Sequence, residues 1–289
     1  MKPIKTRYSL TIIAISLLFL YISGAALINQ FKEQDRGDDF SIITKDEDAK
    51  LFQNPNYNNA VSAFNRKDYG VAIDELNEEI KKYPDHAQAY FLLGKLYEDI
   101  EFKEGKYYSK MQSNYEKYIE LKPKGKRIDY VKLRIAQHYI RIGLTQQKIE
   151  LLDKAEEYLK SLDPKNSDVG MALGAIYLDK QNYDQAIAVF EKSTNLPPSE
   201  LKLKYNSLGL AYIKKRAYAK AEKILEIAIK IDTQDKYAHN NLGFVYVQQG
   251  KLKEADEQFS EAVKLDPSYE NAVKNLQWVG NELNKKRAK

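Results

Sequence analysis

Residues 240–267 read NNLGFVYVQQGKLKEADEQFSEAVKLDP and combine large and small apolar side chains at fixed intervals. The residues that set these intervals are Leu242, Gly243, Tyr246, Ala255, Phe259, Ala262 and Pro267. A helix that needed only an apolar stripe could use leucine throughout, so the small residues need another explanation. Small side chains let two helices approach to the lower end of the usual range of about 8–10 Å. We therefore predict two helices that cross closely at Gly243 and Ala255. Tyr246 and Phe259 then fill the space beside the crossing.

The same intervals recur earlier in the chain. Gly174, Gly209 and Gly243 are separated by 35 and 34 residues. Tyrosines and alanines at fixed distances after these glycines keep the same spacings: Tyr177, Tyr212, Tyr246, Ala186, Ala221 and Ala255. A fixed period of this length indicates stacked structural repeats.

The pattern L-G-x-x-Y, then A-x-x-x-F-x-x-A, then P, resembles the tetratricopeptide repeat family, whose unit of about 34 residues forms two antiparallel helices, A and B. The resemblance implies an all-α fold, a right-handed α-solenoid of about six hairpins in residues 53–269. It also implies a capping helix and basic tail at residues 270–289. The predicted repeats span residues 53–86, 87–125, 126–166, 167–200, 202–235 and 236–269.

The second and third repeats contain extra residues, which we place between their two helices. They lie around EFKEGKYY (residues 101–108) and within GLTQQKIELL (residues 143–152), and we predict long turns there. Leu201 is predicted to be a linker residue between the fourth and fifth repeats. The capping helix carries one apolar face, made of Ala272, Leu276, Val279 and Leu283.

The first fifty residues differ from the repeats in composition. Residues 1–9 contain three basic side chains and no acid, and residues 10–28 contain no charge. As a helix, this uncharged run reaches roughly 28 Å, close to the hydrocarbon thickness of a membrane. Acidic residues outnumber basic ones in residues 29–52, a predicted flexible stalk. The positive-inside rule therefore predicts a single-pass cell-membrane protein with a cytoplasmic N-terminus and extracytoplasmic repeats.

A cleaved signal peptide is the alternative interpretation of the same run. Small residues at 23–26 allow cleavage after Ala25 or Ala26 and export of the remainder. Leu27 and Ile28 extend the apolar run beyond these sites, which favours an anchor. Both hypotheses place the repeats outside the cytoplasm. A eukaryotic organelle receptor with the same anchor and cytosolic repeats is a third hypothesis.

Composition and motifs limit the function classes. The 289 residues carry a net charge of +5 with 30% charged residues, too evenly mixed to indicate nucleic-acid binding. The absence of cysteine excludes disulfides, thiol catalysis and cysteine-based zinc sites. The sequence contains no phosphate-binding loop, dinucleotide fingerprint, catalytic-serine motif or H-E-x-x-H motif, and His86, His138 and His239 lie far apart. We therefore predict no enzyme activity, no cofactor and no metal site.

The resemblance also implies a groove lined by the A helices, suited to an extended or helical peptide segment of a partner protein. In the family register, the predicted groove residues are Phe91, Met171, Asn206, Leu210, Ile213, Tyr237, Asn240, Phe244 and Val247. The predicted repeat-packing residues are Gly94, Gly174, Gly209, Gly243, Ala186, Ala221 and Ala255. Chaperone-binding members clamp a C-terminal carboxylate with lysine and asparagine, but Phe91 and Met171 stand where that clamp needs lysine.

A basic run lies between the second and third repeats. Residues 122–134 contain six basic side chains against Asp129 alone. We predict a solvated loop. Contact with an anionic surface is the alternative.

Together these features predict a membrane-anchored protein–protein interaction module. It would scaffold or dock partners during assembly or secretion of cell-envelope complexes, with a chaperone-like role. One alternative is a non-catalytic subunit of an envelope enzyme that acts on polysaccharide or peptidoglycan. Another is a self-associating structural protein, that is, a homo-oligomer.

Overall fold

The computed structural model describes residues 54–104, 107–163, 166–194 and 196–287, and every regular element in these ranges is an α-helix. The helices are α1 Pro55–Asn65, α2 Tyr69–Lys82, α3 Ala87–Glu104, α4 Tyr108–Leu121, α5 Ile128–Gln146, α6 Ile149–Lys160, α7 Ser167–Asp179, α8 Tyr183–Lys192, α9 Pro198–Lys214, α10 Tyr218–Ile231, α11 Lys236–Gln248, α12 Leu252–Leu265 and α13 Glu270–Arg287.

The predicted membrane segment 10–28 and stalk 29–52 lie outside the described residues. Among the helices that the structure describes, none combines the length and the apolar character needed to cross a membrane.

The described helices divide between two compact units. Residues 54–141 belong to the N-terminal unit and residues 142–287 to the C-terminal unit, with the division inside α5. In the N-terminal unit, α1 packs against α2, α2 against α3, and α3 against α4. In the C-terminal unit, the hairpins α7–α8, α9–α10 and α11–α12 follow one another, and the second helix of each also packs against the first helix of the next. Both units are therefore built from successive helix hairpins.

The two helices of a hairpin are buried to different extents. α12 buries one stripe, formed by Ala255, Phe259 and Ala262, and leaves its other side to solvent. α7 is buried at every position from Val169 to Leu178. The difference arises because α7 contacts its own partner helix and also helices of the neighbouring hairpins, α6 and α9. The first helix of a hairpin is thus the inner element and the second the outer one.

The turn inside the hairpins has a shared backbone conformation. One residue in the left-handed region, with φ between 54° and 78°, occurs at Lys67, Gln147, Gln181, Arg216 and Gly250. After Gln181, the N–H of Asn182 donates to the carbonyl of Tyr177 at 2.8 Å, which is the long hydrogen bond of a Schellman motif. Glycine adopts this conformation without the steric cost that other residues bear, yet only the last of the five turns uses it.

Two sequence predictions about the hairpins are wrong. The extra residues of the second and third repeats do not form long turns. They lengthen the first helix, so that α3 has 18 residues and α5 has 19, whereas α11 has 13. Their side chains are mostly good helix formers, and hydrogen bonds of the helix satisfy the backbone better than an open loop would. The turn after α5 consists of Gln147 and Lys148 alone.

Leu201 is not a linker, because α9 begins at Pro198 and contains it. Proline suits the first helical position, since its fixed φ is helical and its missing N–H would have no partner there. The predicted boundary between the fourth and fifth repeats, at residues 200 and 202, therefore falls inside a helix.

α13 packs against α12 and α11 at the end of the C-terminal unit. Ala272 and Val279 are fully buried, while Leu276 and Leu283 are half-buried. Where α13 begins, Tyr269 packs edge-on against Tyr237 of α11, with ring centroids 5.4 Å apart. The predicted capping face is thus in contact with the last hairpin at two of its four residues.

Candidate peptide-binding surface

The glycines that recur at the repeat interval make room for side chains of the outer helices. A Cβ on Gly243 would lie 2.7 Å from the ring of Phe259, and one on Gly209 would lie 2.6 Å from Leu225. The rings of Phe190 and Tyr115 occupy the same place beside Gly174 and Gly94. The alanines Ala186, Ala221 and Ala255 are fully buried one turn before the large residue.

Each of these glycines is therefore packed directly against one large side chain of the outer helix. The sequence had predicted that Gly243 and Ala255 would meet at the crossing and that Phe259 would lie beside it. In the structure, Phe259 covers Gly243 itself.

The nine predicted groove residues lie at two depths. Six are buried, with at most 8% of their surface exposed: Phe91, Met171, Leu210, Ile213, Asn240 and Phe244. Three are partly exposed: Asn206, Tyr237 and Val247. The buried apolar residues are packed inside the stack of inner helices and offer a partner little surface.

Phe91 shows why a predicted groove residue becomes part of the core. The rings of Tyr118 and Tyr130 lie with their centroids 5.4 and 6.1 Å from the Phe91 centroid. The guanidinium of Arg127 lies 4.6 Å from the same centroid, in cation–π contact. Arg127 belongs to the basic run, so this part of the run covers an aromatic ring and is not simply solvated.

A buried charge cluster occupies the inner positions of the N-terminal unit. Glu98 accepts a hydrogen bond of 2.5 Å from the hydroxyl of Tyr115 and is paired with Arg134, and Lys95 lies 3.8 Å from it. Lys95 also lies 3.4 Å from Asp99. Burial acts to raise the pKa of Glu98, but Arg134 and Lys95 outweigh burial and hold the pKa below its ordinary value. Burial acts to lower the pKa of Lys95, but Glu98 and its neighbours raise it.

This cluster has a consequence for ligand chemistry. Lys95 and Arg134 are the cations at the inner positions of α3 and of the adjacent part of α5, and both are already neutralised by carboxylates. To hold a partner's carboxylate, either one would have to leave Glu98 as an uncompensated buried charge. These two cations are therefore poorly suited to a carboxylate clamp.

Side-chain amides connect the inner helices of the C-terminal unit. The amide of Asn241 on α11 donates to Asn206 on α9 at 2.7 Å, and the amide of Asn275 on α13 donates to Asn240 on α11 at 2.9 Å. Asn240 is fully buried, so these bonds fix the register of the helices. Both pairs are 35 residues apart, and that interval was the sequence signal that could have predicted them.

Trp278 is a surface residue of α13 that sequence reasoning missed. It follows Phe244 by 34 residues, the repeat interval, and is partly exposed. Together with Asn206, Tyr237 and Val247 it forms what we name the inner-helix surface of the C-terminal unit. The inner-helix surface thus offers aromatic, aliphatic and amide groups on three helices whose register the asparagine pairs fix. Near the end of α9, burial also lowers the pKa of Lys214.

Family models for the tetratricopeptide repeat match residues 57–100, 171–200, 205–235 and 237–269. These four segments of the chain match tetratricopeptide repeats. The matched segments coincide with the hairpins α7–α8, α9–α10 and α11–α12 and with the region from α1 into α3. Tetratricopeptide repeats generally serve as non-catalytic interaction modules that present extended binding surfaces.

The mitochondrial import receptor subunit TOM70 is among the curated relatives. The rat protein is 28% identical over 155 residues, which cover 51% of this chain and 22% of the receptor. The human protein is 27% identical over the same length. The chain thus spans less than a quarter of the length of these relatives.

Solved tetratricopeptide structures share the fold. The C-terminal part of a repeat protein from Cytophaga hutchinsonii aligns with a TM-score of 0.55 and 17% identity, covering 72% of this chain and 78% of that one. YrrB, described as a tetratricopeptide protein with an unusual peptide-binding site, aligns with a TM-score of 0.52 and 14% identity, covering 68% of this chain and 95% of that one. At these identities the likeness establishes the architecture alone.

Proposed function

We propose that this protein is a membrane-tethered docking module that binds an extended or helical segment of partner proteins on the inner-helix surface of its C-terminal unit. Its partners would be other proteins of the cell envelope, which it would hold during assembly or secretion of a complex. The single observation that carries the proposal is the partial exposure of Asn206, Tyr237, Val247 and Trp278 on helices that asparagine pairs join.

A preorganised surface binds with a smaller entropic cost than a flexible one. The asparagine pairs join α9, α11 and α13, so the partner meets side chains whose backbone positions are already fixed. Tyrosine and tryptophan are the residue types that most often anchor protein interfaces. Two similar proteins have roles of the same kind as the one proposed here: TOM70 is an import receptor subunit, and YrrB has a peptide-binding site.

The tether rests on the uncharged run of residues 10–28, whose length suits a membrane span. N-terminal sequencing of the mature protein tests this part of the proposal. A mature chain that begins at Ala26 or Leu27 would replace the anchor by an exported protein. Resistance of the intact chain to alkaline extraction from membranes supports the anchor.

Site-specific photocrosslinking tests the docking surface. A photoreactive amino acid is introduced at Val247 on the inner-helix surface and, as control, at Glu257 on the exposed side of α12. The full chain is irradiated in native membranes and the adducts are identified. We expect protein adducts from position 247 and none from position 257, and equal labelling at both positions would refute the proposal.

A matched pair of substitutions separates binding from folding. Trp278→Ala should reduce the yield of the adduct at position 247 severalfold, because a central aromatic anchor typically raises the binding affinity by roughly ten-fold or more. Lys285→Ala on the exposed end of the same helix should leave the adduct unchanged. Replacing Phe244 by a charged residue is not informative, since Phe244 is buried and its loss would unfold α11.

A further inference from the structure

The outer face of α10 differs in charge from every other outer helix. Its exposed residues are Ala219, Lys220, Lys223, Ile227, Lys230 and Ile231. All residues of α10 are described, and none of its exposed side chains is acidic. The other outer helices all expose carboxylates, at Asp74 and Glu78 of α2, Glu120 of α4, Glu150, Asp153 and Glu157 of α6, Asp184 and Glu191 of α8, and Glu254 and Glu257 of α12.

Comparison with the next repeat gives the contrast position by position. Where α10 has Lys220, Lys223 and Ile227, the residues 34 positions later in α12 are Glu254, Glu257 and Glu261. The periodic packing of the two hairpins is the same, so folding does not require the lysines and isoleucines on this face. The residues on this face can therefore differ between hairpins according to what the face contacts.

The acidic side chains of α10 lie toward α11 and the turn after it, not on the outer face. Glu222 accepts hydrogen bonds from Gln249 at 2.7 Å and from Lys251 at 3.0 Å, both in the turn after α11. The charge of Glu226 acts on Tyr246 of α11, where it contributes to a raised pKa after burial and Glu222. Neither carboxylate neutralises the exposed lysines. Within the described residues, no ion pair joins Lys220, Lys223 or Lys230 to an acid, although the ammonium of Lys220 lies 5.5 Å from the centroid of the Tyr212 ring on α9.

The isoleucines lie among the lysines. Ile227 is 37% exposed and Ile231 is 36% exposed, one helical turn apart. They stand on the same side of the helix as Lys223 and Lys230, so apolar tips alternate with flexible cationic stems. Lysine is a mobile point charge that needs no fixed partner geometry, and its stem can extend past an apolar neighbour.

We propose that the outer face of α10 rests on an anionic lipid surface, with the lysines at the headgroups and Ile227 and Ile231 at the edge of the acyl region. Lysines that flank apolar side chains on one helix face bind such surfaces by electrostatic attraction and shallow burial. A proteinaceous partner with acidic side chains is the competing occupant. It is less favoured, because none of the exposed residues of α10 is an arginine that could form a bidentate pair with a carboxylate.

The contact is consistent with the proposed tether. If residues 10–28 lie in the bilayer, the repeats are held near it, which raises the effective concentration of α10 at the lipid surface. The α10 contact uses a surface other than the inner-helix surface, so it extends the proposed function to a second site. Its test below does not depend on partner binding.

The chain has no cysteine, so single cysteines can be placed without side reactions. Ala219→Cys on α10 and, as control, Ser260→Cys on the exposed side of α12 are labelled with an environment-sensitive fluorophore. The full chain is reconstituted with vesicles of phosphatidylcholine, with or without phosphatidylglycerol, that contain a headgroup-labelled nitroxide lipid. We expect quenching of the α10 label in the vesicles with phosphatidylglycerol only, and no quenching of the α12 label.

Two double variants match each other in charge. Lys220→Glu with Lys223→Glu should weaken the association of α10 with the vesicle surface, measured by quenching, at least about 25-fold. Each lysine contributes roughly fivefold to binding an anionic surface. Lys253→Glu with Lys264→Glu on α12 changes the net charge equally and should leave the quenching unchanged. Equal effects of the two double variants, or equal quenching of the two labels, would overturn the proposal.

Two further measurements distinguish the alternatives. An emission shift of the α10 label on adding an acidic helical peptide, without quenching by lipid, would assign the face to a protein partner instead. Photocrosslinking at Val247 should be unaffected by Lys220→Glu with Lys223→Glu. Failure of the lipid contact therefore leaves the docking function standing, and failure of docking leaves the lipid contact standing.

Discussion

Phe259 of α12 lies against the backbone of Gly243 of α11, and its ring occupies the space where any larger residue would place its Cβ, 2.7 Å away. Phe259 is only 1% exposed, so it cannot turn away into solvent. This contact decides how closely the two helices of the last hairpin approach. Leu225 and Gly209 repeat it one hairpin earlier.

Gly243→Ala should therefore destabilise the C-terminal unit by roughly 1–3 kcal/mol, although alanine favours a helix by about 1 kcal/mol over glycine. Gly243→Leu should unfold the last hairpin. The measurement is chemical denaturation followed by circular dichroism. Gly280→Ala is the control, because a Cβ there meets nothing within 4 Å, and it should stabilise α13 by about 0.5–1 kcal/mol. Equal effects at both positions would contradict the close contact.

The left-handed turns predict a stabilising substitution. Gln181 has a φ of 60°, a conformation that costs a side-chain residue about 1 kcal/mol. Gln181→Gly should raise the free energy of unfolding by roughly 0.5–1 kcal/mol, and Gly250→Ala should lower it by a similar amount. Gln185→Gly, at an exposed helical position of α8, should destabilise instead. If both glycine substitutions shift the unfolding midpoint in the same direction, the turn geometry is not as described.

The buried charge cluster of the N-terminal unit should show strong coupling. Glu98→Gln leaves Arg134 and Lys95 without their shared counter-charge and should cost roughly 3 kcal/mol. Glu120→Gln removes an exposed carboxylate 2.7 Å from Lys117 and should cost less than about 1 kcal/mol. A double-mutant cycle with Arg134→Met measures the coupling between Glu98 and Arg134 directly. Additive effects in that cycle would show that the two residues do not interact.

The pKa of His138 predicts a pH dependence of stability. Burial lowers the pKa of His138 to about 4, and its ring stacks on Tyr108 with centroids 4.1 Å apart. A histidine whose pKa is depressed on folding contributes stability above its unfolded pKa, and this contribution is lost as the pH falls toward the folded pKa. We expect a loss of roughly 3 kcal/mol at most between about pH 6.5 and pH 4.

The measurement for His138 is the free energy of unfolding as a function of pH for the parent chain and for His138→Gln. Other groups titrate in this range, but the difference between the two chains isolates His138. The difference should change between pH 6.5 and pH 4 and be constant above about pH 7.5. Parallel curves throughout would contradict a buried neutral imidazole.

The fold could be predicted from spacing because each repeat encodes the same local geometry. Gly174, Gly209 and Gly243 recur at the repeat interval, and the structure places a large outer-helix side chain beside each of them. Where the sequence departs from the repeat, prediction was weaker. The repeat register makes Leu201 a linker residue, although a helix already begins at Pro198, and the extra residues of α3 and α5 extend helices.

The exposure of the predicted groove residues did not follow from the repeat register. The register places these residues on the inner helices, but it treats Phe91 and Tyr237 as equivalent groove positions. In the structure Phe91 is 3% exposed under Tyr118, Tyr130 and Arg127, whereas Tyr237 remains partly open. Only the neighbouring helices decide whether a given inner side chain is covered, and periodicity contains no information about them.

The sequence alone determined that the chain is a series of helix hairpins. Small residues that recur every 34 or 35 positions permit only a close crossing of two helices, and proline and polar turn residues end each helix. The tertiary structure decided which side chains remain available. The pairing of Glu98 with Arg134 and the asparagine bonds between α9, α11 and α13 depend on contacts between residues some 35 positions apart, and the exposure of the α10 lysines depends on how the hairpins pack. Local periodicity cannot encode these distances, because they arise only when separate hairpins pack together.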